Sequence, residues 1–245
     1  MVHPGSLLKA SFMASMAFFR SPGQGGAPRL PAADAVRSVV VPIRSIGPSH
    51  TGRISAHLLA LEPRDRYLRF GYSANDEQIR RYVAGLNFER DEIFGIYNRK
   101  LELIAMAHLA FSTDPELQSC AEFGVSVLAH ARGRGYGARL FDRAAMHSRN
   151  EGVQMMFIHA LSENTAMLNI ARKAGATVER DGSETEAYLK LLPADMDSRM
   201  SEMLDEQIAQ TDYRLKVQAR QFWNFLATLQ EIRQGVRDSR DRIRK

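Results

Sequence analysis

The chain has 245 residues, of which 44% are hydrophobic, and its 33 Lys and Arg against 28 Asp and Glu give a formal net charge of +5. This composition is typical of a globular chain with one domain plus extensions or two small domains, and its charge modestly favours anionic partners. The single cysteine, Cys120, excludes a disulfide framework and any zinc site built from several cysteines, so we expect a reducing cytoplasm as the location. No stretch reaches the roughly 18 to 20 apolar residues of a membrane span.

Both ends of the chain differ in composition from its middle. Residues 1–37 are rich in Gly, Pro, Ser and Ala, which predicts a disordered leader. A short apolar patch from Leu7 to Phe19 could be taken for a targeting segment, but Ser and Lys interrupt it. The residues from 38 to 194 have the alternating apolar pattern of a folded domain, and residues 195–245 form a separate helical segment.

Secondary structure in the first half of the domain follows from apolar periodicity and from turn residues. The helix before Leu61 can be capped by Ser49, and the second helix begins near Ser73 or Asn75. In chain order the expected elements are a strand from Val39 to Arg44, a helix from Ser49 to about Leu61, a helix from Asp76 to Leu86, and strands from Glu92 to Tyr97, from Leu101 to Phe111 and from Ala121 to Ala129.

A glycine-rich turn, Arg132-Gly133-Arg134-Gly135-Tyr136-Gly137, lies between the last of these strands and a helix from Tyr136 to Asn150. Glycines permit a tight turn and close backbone approach, and the free amides that open a helix attract anions, so the turn predicts a phosphate cradle. Gly133, Gly135 and Ala138 also fit a dinucleotide fingerprint. The next strand, Val153 to Ala160, has no carboxylate at its end to hold a ribose, which disfavours that alternative.

Read as Arg-x-x-Gly-x-Gly, with Arg132, Gly135 and Gly137 at the three defined positions, the turn resembles the acyl-CoA binding motif of the GNAT superfamily of N-acetyltransferases. The preceding strand carries Glu122 among alternating apolar residues, and a helix between Asn164 and Gly175 follows the next strand, as in that family. The resemblance covers about Ser38 to Leu192 and implies an α+β fold. Its central sheet would be mixed and mostly antiparallel, flanked by helices, with splayed fourth and fifth strands and a last strand from Glu186 to Leu192.

The resemblance also implies a function and a set of site residues. The chain would be an N-acyltransferase with acetyl-CoA as cosubstrate and no metal. Glu122 would be the catalytic base that deprotonates the amine, or else an exposed strand residue. The residues implied to bind the cofactor are Val127, Leu128, Ala129, Arg132, Gly133, Arg134, Gly135, Tyr136, Gly137, Ala138, Asn164 and Met167. Asn164 could also serve as a helix N-cap.

One position departs from the family pattern. Many members have a tyrosine four residues before the helix-ending glycine, where it protonates the leaving thiolate, but this chain has Ala171. Tyr136 and Tyr188 are alternatives by residue type, and solvent is a third because a thiol is an acceptable leaving group near neutral pH. Cys120 lies near the motif strand without a histidine placed to activate it, so we expect it to be a small core residue.

The sequence says less about the acceptor, the molecule that would receive the acetyl group. The segment from Arg64 to Tyr72 joins the first two helices, where the family forms one lip of the acceptor cleft. Its interleaved arginines and aromatics could hold an acidic or planar substrate or stack on nucleic acid. Alternatively, its aromatics pack under the second helix while the arginines face water.

Residues from Asp197 to Arg244 are expected to form one long amphipathic helix. An apolar residue recurs every seven positions, at Ile208, Leu215, Phe222, Leu229, Val236 and Ile243, and this period predicts pairing with another helix. A coiled coil, a bundle and packing onto the catalytic domain are all open, and self-association is the interpretation that we favour. The basic end from Arg233 to Lys245 would be a solvated face or a contact for nucleic acid or an anionic membrane.

Three classes of function follow. The first is an acetyltransferase acting on a small amine or on a protein lysine, and the second is an acyl-CoA-binding regulator without turnover. The third, a nucleic-acid-binding protein, requires salt-sensitive binding that is lost when residues from Arg233 onward are deleted. We favour the first and do not expect a nucleic-acid partner.

Overall fold

The structure is a computed structural model that describes residues 41–114, 117, 119–181 and 184–243. For residues 180, 181, 184, 222, 223 and 225–243 it describes the backbone alone. The leader expected over residues 1–37, the start of the strand expected from Val39, and the side chains of the last four residues of the seven-residue repeat therefore lie outside the described residues.

Seven strands form a single mixed sheet. They are β1 (Arg44–Ser45), β2 (Glu92–Tyr97), β3 (Leu103–Phe111), β4 (Cys120–Val127), β5 (Met155–Leu161), β6 (Thr177–Asp181) and β7 (Glu184–Lys190). Their order across the sheet is β1-β2-β3-β4-β5-β7-β6, and every neighbouring pair is antiparallel except β4 and β5, which are parallel. The mixed, mostly antiparallel sheet expected from the sequence is confirmed.

Six helices flank the sheet: α1 (Thr51–Leu59), α2 (Pro63–Phe70), α3 (Asp76–Ala84), α4 (Tyr136–Asn150), α5 (Thr165–Lys173) and α6 (Met196–Ile243). A capping box starts α3, in which the side chain of Asn75 accepts from the Gln78 amide and that of Gln78 accepts from the Asn75 amide, each at 2.9 Å. Ser49 does not cap α1, because it lies within a short 3-10 turn, Pro48–His50, that leads into the helix.

Three expectations about the elements need correction. The first strand is only Arg44–Ser45, because residues 41–43 lie outside the ladder with β2. The segment from Arg64 to Tyr72 is mostly the helix α2, which has Pro63 in its first turn and ends at Gly71 in the left-handed conformation. An edge strand, β6, precedes the last strand and pairs only with β7.

The sheet is covered on both faces. On one face α4 packs against β4, where the rings of Phe123 and Phe141 meet edge to face at 5.1 Å between centroids. On the other face the apolar sides of α1 and α3 are buried through Ile54, Leu58 and Ile79. Burial on both faces accounts for the apolar run of β3, which is interrupted only by His108.

The long helix α6 is anchored to the domain by polar contacts along its first half. Arg143 of α4 is only 5% exposed and forms ion pairs with Glu202 at 3.0 Å and Glu206 at 3.3 Å. His147, also in α4, lies 2.6 Å from a carboxylate oxygen of Glu202. Separating such buried opposite charges would leave each of them uncompensated, which is unfavourable. These contacts therefore fix the position of α6 on α4.

Further along α6, Tyr213 packs against the domain on the same face. The guanidinium carbon of Arg44 lies 4.0 Å from the centre of its ring, and Ala209, one turn earlier, is 1% exposed. Ile208 is 47% exposed and lines a groove between α6, α4 and residues 41–43, and Leu215 is 61% exposed. The residues of the seven-residue repeat that the structure describes with side chains therefore keep about half or more of their surface exposed.

Candidate active site

The strands β4 and β5 separate soon after they begin. They pair over only three residues each, Cys120–Glu122 against Met155–Phe157, and a cavity of about 780 Å³ opens beyond that point. Residues 123–127 of β4 and 158–161 of β5 line it. The edges that face each other across this gap keep backbone donors and acceptors that no longer pair with the opposite strand, so they are open to a ligand. The splay expected between the fourth and fifth strands is confirmed.

The glycine-rich turn lies at the far end of this cavity, immediately before α4. Gly133 and Gly135 have φ of 76° and 73°, in the left-handed region that favours glycine. The first amides of α4 have no partner within the helix, and the positive end of the helix dipole lies behind them. Tyr136, Gly137 and Ala138 line the cavity here. The geometry suits an anionic group such as a pyrophosphate.

Gly137 has a second role in shaping the cavity. A Cβ at this position would lie 3.2 Å from Cδ1 of Ile170 in α5, so the missing side chain lets α4 and α5 approach closely. The two helices follow the two diverging strands. Their close packing therefore holds the walls of the cavity at a fixed separation.

Most of the residues implied by the family resemblance surround this one cavity. Leu128, Ala129 and Arg134 do not line it: Leu128 is partly buried against the core beside α1 and α3, Ala129 begins a 3-10 turn, and Arg134 is exposed. Those that line it are Glu122, Val127, Arg132, Gly133, Gly135, Tyr136, Gly137, Ala138, Asn164 and Met167.

Arg132 spans the entrance to the cradle. Its Nε donates to the carbonyl oxygen of Val127 at 3.4 Å, and its Nη2 forms an ion pair with Asp65 of α2. A negative charge thus lies beside the turn that would hold phosphates. An anionic ligand has to compete with Asp65 for this guanidinium.

Asn164 connects the two sides of the cavity. Its side-chain oxygen accepts from the amide of Met167 at 3.2 Å, which caps α5, and its amide nitrogen donates to the carbonyl oxygen of Leu68 in α2 at 3.5 Å. The N-cap role considered from the sequence is therefore present. The long contact to α2 is the one that a bound ligand could replace.

Glu122 is the last residue of β4 that pairs with β5, so it stands where the strands begin to separate. Two residues on, a Cβ at Gly124 would lie 2.6 Å from the guanidinium carbon of Arg69 in α2. Alternate residues of a strand share a face, so Glu122 belongs to the face that α2 covers. Its carboxylate is half-buried in the cavity wall.

Two functional candidates lie in this wall: Arg69 belongs to the segment considered from the sequence for acceptor binding, whereas Tyr82 was missed. Arg69 of α2 and Tyr82 of α3 both line the cavity, and Nη2 of Arg69 donates to the hydroxyl of Tyr82 at 3.1 Å. Burial is the largest influence on Tyr82 and raises the pKa of its hydroxyl. The sequence left open whether the arginines around Arg69 hold a ligand or face water, and no spacing connected Arg69 to a tyrosine 13 residues later.

A buried pair of polar side chains fixes the middle of β4. Nδ1 of His57 lies 2.8 Å from the carbonyl oxygen of Leu103, so this nitrogen carries the proton, and Ser126 donates to Nε2 at 2.8 Å. Burial lowers the pKa of His57 to about 4, which keeps the ring neutral near pH 7. Ser126 lines the cavity and is held in one orientation by this bond.

The structure also places the candidate proton donors. Ala171 is fully buried in the core, so its position offers no group to a leaving thiolate. Tyr136 lines the cavity, whereas Tyr188 lies outside its lining and donates to Glu179 at 3.1 Å. Cys120 is buried with its thiol free, and burial raises its pKa, which fits the expected role in the core.

Metal sites and membrane-spanning helices are both absent from the described part of the chain. Within it, no group of three or more His, Cys, Asp or Glu side chains is arranged to hold a metal ion. No helix in the same residues has the length and apolar character needed to cross a membrane.

Comparison with known proteins identifies the family. The family model for the acetyltransferase (GNAT) family matches residues 58–176, which include the glycine-rich turn and the end of α5. None of the curated proteins compared with this chain matches it significantly.

Solved structures share the fold at low sequence identity. The GNAT domain of S. lividans PAT has a TM-score of 0.53 at 19% identity, covering 62% of this chain and 95% of that one. An N-acetyltransferase from Staphylococcus aureus Mu50 has 0.50 at 16%, with coverages of 61% and 98%. The ribosomal-protein-alanine N-acetyltransferase from Brucella melitensis has 0.50 at 15%, with coverages of 61% and 99%. The family model places residues 58–176 in the GNAT family of acetyltransferases, and the solved structures share the fold of this part of the chain.

Proposed function

We propose that this protein transfers the acetyl group of acetyl-CoA directly to a primary amine. The observation that carries the proposal is the cavity between β4 and β5, which connects the cradle before α4 with Glu122 at the point where the strands separate. Pyrophosphate in the cradle would leave the pantetheine arm to extend between the strands. The thioester would then lie near Glu122.

The reaction needs few groups. The amine nitrogen attacks the thioester carbonyl, a carbon–nitrogen bond forms, and the carbon–sulfur bond breaks to release the thiol. Glu122 removes a proton from the ammonium form of the substrate, which cannot attack until it is deprotonated. Backbone amides at the open edge of β4 stabilise the oxyanion that develops on the thioester carbonyl. The acceptor that we propose is a small amine, and a lysine side chain of a protein is the alternative.

Cofactor binding is tested by calorimetry with acetyl-CoA. Gly135→Glu puts bulk and negative charge into the cradle and should abolish binding. Gly152→Glu is the matched control, because Gly152 follows the same helix at its other end and has a comparable φ of 82°. Both variants carry the same backbone penalty of about 1–2 kcal/mol. Equal loss of binding in both, or no binding by the wild type, would overturn the proposal.

Turnover is tested with Glu122→Gln and a panel of amines and lysine peptides, following thiol release. We expect Glu122→Gln to keep its affinity for acetyl-CoA and to lose about 100-fold or more in kcat. Mass spectrometry of the products identifies which class of amine is modified. A protein that binds acetyl-CoA but modifies no amine would instead be the regulator considered from the sequence.

We also propose that the outward face of α6 pairs two copies of the chain. Ile208 and Leu215 are exposed on that face, and the seven-residue repeat continues through the rest of the helix. Sedimentation of the Ile208→Glu, Leu215→Glu double variant should give a monomer, while Arg214→Glu, an exposed change off the repeat, should leave the assembly intact. A monomeric wild type would refute the pairing.

A further inference from the structure

A continuous series of polar contacts leads from the cavity wall into the sheet. Arg69 donates to the hydroxyl of Tyr82, and that hydroxyl lies 2.7 Å from Nδ1 of His108. Nε2 of His108 lies 3.2 Å from Oδ2 of Asp91. The two carboxylate oxygens of Asp91 each accept a hydrogen bond from Arg90, at 2.6 and 2.8 Å. His108 and Asp91 are both 6% exposed, so these contacts are shielded from solvent.

The chemistry of the partners fixes the direction of each hydrogen bond. An ionised carboxylate only accepts, so Nε2 of His108 carries the proton that faces Asp91. In the neutral ring Nδ1 is then an acceptor, and it takes the hydroxyl proton of Tyr82. Arg69 only donates, so it points a proton at the same oxygen. A hydroxyl that is hydrogen-bonded to an imidazole, which is in turn hydrogen-bonded to a carboxylate, can transfer protons.

The series ends beside the proposed site of acetyl transfer. His108 on β3 is the register partner of Gly124 on β4, and the guanidinium of Arg69 lies over that glycine. Glu122 is two residues away on the same face, and its charge also acts on Tyr82. The charged and titratable groups around His108 are thus Tyr82 from α3, Arg69 from α2, Asp91 and Arg90 from the turn before β2, and Glu122 from β4.

In acetyl transfer the nitrogen loses protons and the departing sulfur gains one, from solvent or from a group of the protein. Ala171 has no proton to give, and Glu122 accounts only for the deprotonation that makes the amine reactive. Tyr82 is a cavity-lining group with a hydroxyl proton and a partner that can hold it. Tyr136 also lines the cavity, but of the two tyrosines Tyr82 is the one whose hydroxyl is bonded to a histidine that can accept its proton.

We propose that Tyr82 carries a proton from the attacking nitrogen to the leaving thiolate, with His108 and Asp91 as positioning residues behind it. As the nitrogen–carbon bond forms, the nitrogen gives a proton to the Tyr82 oxygen, whose own proton moves to Nδ1 of His108. As the carbon–sulfur bond breaks, the proton returns through Tyr82 to sulfur and gives the free thiol. One proton leaves nitrogen and one arrives at sulfur, so the chain of groups returns to its starting state. The inference rests on the proposed acetyltransferase function.

The ionisation of the groups agrees with these roles. Burial raises the pKa of Tyr82, so its hydroxyl keeps its proton in the resting enzyme. Burial alone would raise the pKa of Asp91, but the hydrogen bonds from His108 and Arg90 outweigh it and lower that pKa, so the carboxylate stays charged. A charged Asp91 is what stabilises the imidazolium that forms transiently.

The test compares Tyr82→Phe with Tyr213→Phe. The hydroxyl of Tyr213 also contacts an arginine and a histidine, Arg53 and His50, but it lies on α6 outside the cavity lining. With acetyl-CoA and an amine that the wild type acetylates, Tyr82→Phe should lose about 100-fold in kcat and keep the affinity for acetyl-CoA. Tyr213→Phe should stay within about twofold of the wild type in both quantities.

His108→Gln separates proton transfer from support of the fold. Glutamine can donate and accept hydrogen bonds in place of the ring but cannot take up a proton, so kcat should fall about tenfold or more. The affinity for acetyl-CoA should stay unchanged, which distinguishes a lost proton transfer from a lost fold. If Tyr82→Phe does not fold, this variant decides.

The possible outcomes are distinct. A wild type that turns over, with kcat in Tyr82→Phe and His108→Gln within about threefold of it, overturns the relay and leaves the acetyltransferase proposal intact. A wild type that binds acetyl-CoA but acetylates no amine overturns both.

Discussion

Two glycines, on the strands either side of β3, provide a matched pair of substitutions with opposite expected effects. In Gly124→Ala the new methyl group would meet the guanidinium of Arg69, with Cζ at 2.6 Å and Nη1 at 2.7 Å. In Gly95→Ala it would meet Cδ1 of Ile46 at 2.3 Å and Cδ1 of Leu103 at 2.6 Å. The first obstacle is the free end of a long flexible side chain. The second consists of two buried core residues that have nowhere to move.

The magnitudes follow from these contacts. Overpacking at Gly95 should cost about 1–3 kcal/mol of unfolding free energy, and each kcal/mol lowers the Tm by about 2–4 °C in a chain of this size. At Gly124 the displaced guanidinium loses a hydrogen bond to Tyr82 worth about 1.5 kcal/mol. The reduced backbone freedom of the unfolded chain returns about 0.4–1 kcal/mol, so the net loss should be under about 1 kcal/mol.

The loss of acetyl transfer should have the reverse order, and be larger in Gly124→Ala than in Gly95→Ala. Once Arg69 is displaced from β4, Tyr82 loses one of its two partners, so Gly124→Ala should reduce acetyl transfer at saturating substrate although it remains folded. Thermal unfolding by circular dichroism and thiol release measure the two effects on the same samples. A Tm in Gly124→Ala as low as that in Gly95→Ala, or wild-type turnover by folded Gly124→Ala, would refute the reasoning.

Three other predictions concern the cradle, α5 and α6. Asp65→Asn should tighten acetyl-CoA binding about twofold to fivefold in calorimetry, because it frees Arg132 from a partly exposed ion pair worth up to about 1 kcal/mol; weaker binding would contradict this. Asn164→Asp should keep the Tm but weaken acetyl-CoA binding, since aspartate caps a helix and cannot donate an amide proton, whereas Asn164→Ala should lower the Tm by about 2–4 °C. Burial disfavours the charged forms of His147 and Glu202, but their hydrogen bond outweighs it, so the pKa of His147 is raised above 6.5 and that of Glu202 lowered below 4.5. Stabilisation by the pair is then largest between pH 4.5 and 6.5. It is lost as the pH rises through the raised pKa of His147 and as the pH falls through the lowered pKa of Glu202. A difference in Tm between wild type and Glu202→Gln that does not depend on pH would argue against this.

The elements predicted best are those whose signals are local. The helix α4 has the predicted bounds, Tyr136–Asn150, because the glycines before it and the apolar spacing within it lie in one short stretch. The helix α2 was missed because its eight residues alternate charges with aromatics, and no residue in it is fully buried. The edge strand β6, Thr-Val-Glu-Arg-Asp, was missed because it pairs with one neighbour and its residues are mostly polar.

The candidate site divides in the same way. The glycine-rich turn at the end of the cavity could be located from the sequence because its glycines lie within a few residues of one another. Arg69, Tyr82, Asp91 and His108 come from four different elements, and only the pairing of β3 with β4 brings them next to Glu122. No spacing in the sequence marks such a group, because the contacts depend on strand register and on how α2 and α3 cross the sheet.

The position of α2 joins the two halves of the site. Asp65 on its first turn contacts Arg132 beside the cradle, and the carbonyl of Leu68 accepts from Asn164 across the cavity. One residue later Arg69 reaches β4 and holds Tyr82. One short helix therefore contacts the residues expected to bind the cofactor and supports the wall expected to meet the acceptor. A ligand that took Arg132 and Asn164 from α2 would remove two of its contacts next to Arg69, so we expect cofactor binding to affect the geometry of that wall through this helix.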